Sequence, residues 1–429
     1  SPVPFLEPVR INWHHVRFEN LGHPMRNRIG KSKHVRFEPA LTFLLYGHPH
    51  TIHIAECTFI NTTRLELRCN PNAEITFERN RFQNLRHRAA LTITGSPTGK
   101  PPAAVNVVSN KFAAALRLDA VPATLRGNIL IGPNAAIVIR DDTSKRTELI
   151  GNYIHNTTKT DDGHYCLDSH NPDASIMNNI FRGGTTCVLN GTRRMSGNVF
   201  IGAETLRSEF VKQSHTHQCV AALPAGSVFE RNLLIGPAHA LLVPQPMQTR
   251  VDRGASYNVT RIRHNIFVGS GTGSRAIHLN PLGHAPTRVS IANNLFLGVS
   301  TLFFDEGGTT ASLIYADHNA YAPPPPRLFD RAKVTDIEKG QPGWAAQDIQ
   351  RKTISGLGLS DRPPIHLPDF DDEMLTGKST FAQLRTRLFQ PFRPQANSPL
   401  VAAGQPSNQD KAAPQPTIGA LEPNQYIPR

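Results

Sequence analysis

A short unit recurs along this chain: an asparagine, then, two residues later, a large apolar side chain. It occurs as Asn80/Phe82, Asn110/Phe112, Asn128/Leu130, Asn152/Ile154, Asn179/Phe181 and Asn198/Phe200. It continues as Asn232/Leu234, Asn265/Phe267, Asn294/Phe296 and Asn319/Tyr321, with Cys57/Phe59 in the same place one unit earlier. The spacing wanders around roughly two dozen residues, looser than in helical repeat families, and the Leu- and Ala-rich helices of those families are missing. The units read instead as short β runs broken by Gly, Asn, Pro and Thr.

A further strand follows each Asn within the unit: RLELRC (64–69), ALTITG (90–95), ALRLDA (115–120), AIVIRD (136–141), YCLDSH (165–170) and CVLNGT (187–192), then AIHLNP (276–281) and LFFDEG (302–307). Aligned, Leu67, Ile93, Leu118, Ile139, Leu167, Leu189, Leu279 and Phe304 share one column between polar neighbours. That alternation is the period of strands with one buried face. A single coil cannot bury that face alone, so the coils must stack and pair in parallel. The expected fold is therefore all-β: a parallel β-helix of about eleven coils, right-handed by the general preference of parallel β connections. At about 4.8 Å per coil the cylinder is roughly 50 Å long. Each Asn would lie above the last and bond the next amide while satisfying a tight turn.

The related pieces HVRFEN (15–20) and HVRFEP (34–39) are expected to be two earlier coils, so the β-helix domain spans 1–322 and begins without an obvious capping helix. From the run Pro323–Pro326 onward the pattern stops, and 323–429 is expected to be a Pro-rich linker and an irregular tail packing on or capping the cylinder. One helix is expected within 370–392, capped by Ser379 or Thr380.

The chain resembles the bacterial secreted right-handed β-helix proteins. The Asn-x-apolar ladder over about 50–322 carries the likeness, together with WAAQDIQ (344–350), DF (369–370), NSPLVAAG (397–404) and TIGALEP (417–423), which is similar to the group's SPAIDAG…DIGA ending. The resemblance implies a secreted or cell-surface protein, although the first residues, SPVPFLEPVRINW, have no basic-then-apolar signal peptide. For activity it implies little, because such folds host polysaccharide lyases, glycoside hydrolases, epimerases and non-catalytic modules. Neither a DPHD motif nor a pectate-lyase calcium triad is present.

Lys+Arg 46 against Asp+Glu 33 leaves a net charge of +13, which favours a polyanionic partner. Aromatics are only 7%, mostly Phe in core-like positions, so stacking platforms for nucleic acid are not expected, and the partner expected is an acidic or sulfated polysaccharide. No run of 18 apolar residues exists, so no transmembrane segment is expected. The five cysteines, Cys57, Cys69, Cys166, Cys187 and Cys219, form no CxxC pair and read as buried small hydrophobes.

On a β-helix, functional groups form rows of outward side chains. One expected row is Arg68, Thr94, Asp119, Arg140, Asp168 and Asn190; its neighbour is Glu66, Thr92, Arg117, Val138, Cys166 and Val188. In that alignment Asp119 and Asp168 flank Arg140 and lie about 9–10 Å apart at two strand spacings, near the upper limit for an inverting hydrolase pair. The same row reads equally as charges that pair only with one another. The stretch 155–173 is dense in reactive groups. His164 or His170 is a candidate base for abstracting a proton beside a uronate carboxylate, with Arg140 or Lys159 as the cation. A plain polar surface loop is the other reading. Arg117, Lys159, Asn190, Arg193 and Arg194 are candidate substrate contacts. His48, His50 and His53, and likewise His215 and His217, lack a third ligand of metal spacing, and Asp141–Asp142 and Asp161–Asp162 lack a calcium loop. No cofactor is expected, calcium being the one considered. Binding with lyase-type cleavage is favoured over hydrolysis; the alternative is a non-catalytic binding or structural module.

Overall fold

The structure is a computed structural model. It describes residues 10–21, 24–29, 32–37, 39, 41–45, 49–69, 72–83, 89–95, 104–140, 146–158, 165–171, 173–183, 185–188, 192, 194–202, 218–236, 240–244, 259–279, 288–305, 313–323, 327–330, 348–351, 353, 355–359, 370–404 and 418–419. Along them the chain winds as a parallel β-helix. Each coil has a strand before the Asn (first face), one after it (second face) and a third strand (third face). The first face is a parallel sheet of 12 strands from Arg10–His14 to Leu313–Asp317, in line with the expected count of about eleven coils. The second and third faces merge into one sheet because two long strands, Ile266–Leu279 and Leu295–Asp305, run round the corner between them.

The asparagines stack as expected. Each Asn from Asn80 to Asn294 donates Nδ2–H to the Oδ1 of the next, at 2.9 to 3.1 Å. The same Oδ1 accepts the backbone N–H of the Asn below, as Asn152 Oδ1 does from Asn128 at 3.0 Å. Nδ2 also reaches a strand carbonyl, for instance Leu125 O from Asn152. The residue before each Asn turns the chain with positive φ: Arg79, Ser109, Gly127, Gly151, Asn178, Gly197, Arg231, His264, Asn293 and His318. A left-handed residue with a side chain costs about 1 kcal/mol, and the buried amide bonds of the adjoining Asn offset that cost. Two residues after the Asn, aromatic rings stack inside: Phe59 on Phe82 at 4.5 Å, Phe82 on Phe112 at 4.8 Å, Phe267 on Phe296 at 4.8 Å.

The piece HVRFEN does enter the first coil, as strand Arg17–Glu19 paired with Thr58–Ile60. HVRFEP does not. Its first four residues, His34 to Phe37, lie in Ser32–Phe37, which pairs antiparallel with Pro24–Ile29 in a separate two-stranded hairpin. The likeness misleads because alternating apolar and polar residues serve any strand, whatever its partner.

The second face explains where the tail goes. Directly after the Asn its outward row begins polar, with Thr58, Arg81 and Lys111, and then becomes Ile129, Tyr153, Ile180, Val199, Leu233, Ile266, Leu295 and Ala320. Apolar residues on the outside of a cylinder require a cover. Leu357, Leu359, Phe370, Met374, Leu384, Leu388, Phe389, Phe392, Leu400 and Ile418 form one buried cluster with that row. Two helices carry part of the cover, α1 (Asp371–Thr376) and α2 (Phe381–Phe389). Thr380 caps α2 in a reciprocal box with Gln383, so two helices replace the one expected and Thr380 is the cap.

Cys57, Cys69, Cys166 and Cys219 are buried and stand as thiols, outside any disulfide among the described residues. Burial pushes Cys69, Cys166 and Cys219 up to about 12, so they pack as small apolar groups.

Candidate functional site

The outward residues of the third face form two rows whose register is fixed by strand pairing. One runs Thr42, Glu66, Thr92, Arg117, Val138 and Asp168. The other runs Leu44, Arg68, Thr94, Asp119 and Arg140. The expected alignment holds as far as Arg140 and then fails by two residues. Ile137 pairs with Leu167 and Ile139 with Ser169, so Asp168 lies over Val138, and Arg140 does not separate two carboxylates. A slip of two preserves the alternation of faces and leaves no trace in the apolar pattern. Buried Ser169 takes the core position instead, because its hydroxyl meets Thr192 Oγ1 at 2.6 Å beside Asn171 and Thr147. Farther on, Phe304 pairs with His278 rather than with Leu279.

The same slip brings His170 to Arg140. The His170 N–H donates to Ile139 O at 2.9 Å, continuing the ladder by one residue, so Asp119, Arg140 and His170 occupy successive coils. From the neighbouring row Asp168 Oδ1 contacts His170 Nε2 at 3.1 Å, with the carboxylate 16% and the imidazole 39% exposed. Arg140 is exposed and forms no ion pair among the described residues.

On the same face lies a groove of about 440 Å3, lined by Ala89, Thr92, Thr94, Ala115 and Val138 and by the pairs Arg64–Glu66 and Arg117–Asp119. Glu66 is buried between two guanidinium groups: Arg64 Nη2 donates to Oε2 at 2.7 Å and Arg68 Nε to Oε1 at 2.9 Å. Burial opposes its ionisation, but the two arginines outweigh that and hold the carboxyl below its ordinary range. Arg117 Nε donates to Asp119 Oδ2 at 2.7 Å, while Asp119 Oδ1 is buried with no hydrogen-bond partner among the described residues.

The other expected site residues fall elsewhere. Arg194 belongs to the first face, paired with Ser175 and Val228, and so is not one coil above the Asp168 row. Lys159, His164, Asn190 and Arg193 lie outside the described residues. No group of three or more His, Cys, Asp and Glu placed to hold a metal ion occurs among the described residues, and no described helix is long and apolar enough to cross a membrane.

Sequence reasoning missed one cluster, under α1. Tyr153 Oη donates to Asp371 Oδ1 at 2.8 Å, and His155 Nδ1 lies 2.7 Å from Oδ2. The signal was the change of the outward second-face row from polar to apolar at Ile129, which marks the coils that the tail must cover. Glu66 was also passed over as a candidate; its signal was Arg64 and Arg68, each two residues away on one strand face.

No protein-family model matches this chain, and no curated protein matches its sequence.

Proposed function

We propose that the third face binds an anionic polysaccharide and cleaves it by elimination, as an extracytoplasmic carbohydrate-active protein. The observation that carries this is the register that sets the Asp168–His170 pair beside the strand of Arg140, next to a groove that already holds paired arginines. Asp168 orients the imidazole, and His170 takes the proton from the carbon beside a uronate carboxylate. Arg140, with Arg117 farther along the groove, neutralises that carboxylate and the charge that develops on it. The electron pair from the broken C–H bond forms the new C=C bond. The glycosidic C–O bond at the β position breaks, and its oxygen takes a proton from water.

Hydrolysis is less well supported. A hydrolase needs a protonated carboxylic acid, and Glu66, clamped by Arg64 and Arg68, is held ionised. A second reading is binding without turnover. The ion pairs of the groove favour it, since Glu66 and Arg117 are already engaged with protein partners. In that reading Asp119 Oδ1 would gain a sugar hydroxyl as donor.

Polygalacturonate, alginate, glycosaminoglycans and sulfated glycans, assayed for unsaturated products and for reducing ends, separate the readings. Unsaturated ends that vanish in His170→Ala support elimination. Salt-sensitive binding without new ends supports the binding module.

A further inference from the structure

The hairpin inserted in the first coil takes no part in the β-helix ladders, yet it leaves the chain at a telling place. The chain quits the second face after Arg17–Glu19, runs out through Pro24–Ile29, returns through Ser32–Phe37 and enters the third face as Leu41–Leu45. In that last strand Thr42 pairs with Glu66. The next coil crosses the same corner through Asn61–Arg64, and Arg64 lines the groove. The hairpin therefore stands at the corner where the groove begins.

Its sequence is strongly basic. No Asp or Glu occurs between Glu19 and Glu38, while the two strands carry Arg26, Arg28, Lys33 and Arg36. The register sets Arg28 directly opposite Lys33 and Arg26 opposite Val35. Like charges directly opposite one another destabilise a strand pair, and a lone two-stranded hairpin is marginal in water. A polyanion bound along the hairpin would offset the repulsion.

We infer that this hairpin is a polysaccharide-binding arm that extends the groove past its first coil and engages sulfate or carboxylate groups of a long chain, a conclusion that rests on the groove reading above. Full-length protein would be tested on polygalacturonate, heparin and neutral dextran, on a trisaccharide of the acidic polymer, and on duplex DNA. The variants are Arg26→Gln/Arg28→Gln/Lys33→Gln, Lys33→Glu, Arg26→Lys/Arg28→Lys and, in the groove, Arg117→Gln. The triple variant should lose roughly tenfold in affinity for the long acidic polymer, with a shallower salt dependence, and should bind the trisaccharide like the parent. Lys33→Glu should also weaken polymer binding, while its melting temperature holds or rises, because it makes an opposite-charge cross-strand pair. The double Lys variant should keep binding and so confirm that charge is what matters.

If the triple variant binds the polymer like the parent while Arg117→Gln does not, the arm is overturned and the groove stands. If the triple variant loses affinity and Arg117→Gln is the silent one, the groove reading falls, and with it the arm as an extension of the groove. Hairpin-dependent binding of duplex DNA tighter than that of either acidic polymer would overturn the choice of partner. A fall in the melting temperature of Lys33→Glu would overturn the account of the opposed charges.

Discussion

The backbone N–H of Asn319 donates to Oδ1 of Asp348 at 2.7 Å, so the asparagine ladder ends on a carboxylate. The other carboxylate oxygen accepts from Tyr321 Oη at 2.7 Å, and Ile349, next in the chain, adds a final pair to the second face against Ala320.

Burial is the main cause that raises the Asp348 carboxyl above its ordinary range. A carboxyl with a raised folded-state pKa favours the fold fully below the unfolded value, and that contribution is lost as pH rises through the folded value. At pH 7 the charge is therefore a liability. Asp348→Asn should melt at or above the parent at pH 7, and the gap should close as the pH is lowered toward 4. Thermal unfolding across that range checks it.

Within the ladder each amide serves two coils. Asn152→Ala would orphan the N–H and the Nδ2–H of Asn128 and uncover Leu125 O, all buried. The expected loss is about 3 kcal/mol or more. Urea unfolding should show it, whereas the exposed Arg126→Ala should stay within about 0.5 kcal/mol of the parent.

The tail is held by a charge as well as by its apolar face. At Asp371 burial opposes ionisation, but the hydrogen bond and charge of His155, the Tyr153 hydroxyl and the Arg182 charge outweigh it, so the carboxyl is shifted down from 3.8. For a depressed pKa the stabilisation is present above the unfolded value and is lost as pH falls through the folded one. Below about pH 4 the helices α1 and α2 should become susceptible to proteolysis before the coils do. Asp371→Ala should bring that susceptibility to neutral pH, at a cost of about 2 kcal/mol.

Most of the fold was legible because each coil repeats one local rule, an Asn beside a buried strand. Asn80, Asn110, Asn128, Asn152 and Asn179 align in one turn as that rule requires. The candidate site was legible only in part. Asp119 and Arg140 are neighbours as expected, but the step to Asp168 depended on the length of the chain between coils, which the apolar pattern does not record. Ser169 decided it: a small polar residue sits inside because Thr192 offers it a hydroxyl. The hairpin Pro24–Phe37 was hidden for a related reason, since its strands alternate like coil strands while pairing antiparallel.

The pair Asp168–His170 offers a test of that register. If Asp168 orients the imidazole, Asp168→Asn should lower turnover at a nearly unchanged KM, because only proton transfer suffers. In the expected alignment Asp168 would itself have been one carboxylate of a hydrolytic pair with Asp119 across Arg140, and its loss would abolish turnover altogether. Kinetics on the best acidic polymer from the panel distinguish the two.

The most direct measurement is the rate of unsaturated-product formation from acidic polysaccharides by the parent, His170→Ala and Arg140→Ala, with melting temperatures taken alongside. The account predicts activity on at least one uronate polymer, lost by about a hundredfold or more in both variants, with melting temperatures within a degree or two of the parent because both side chains reach solvent. Variants that melt several degrees lower while keeping full activity would contradict it, as would a parent that neither binds nor cleaves any acidic polymer at low salt.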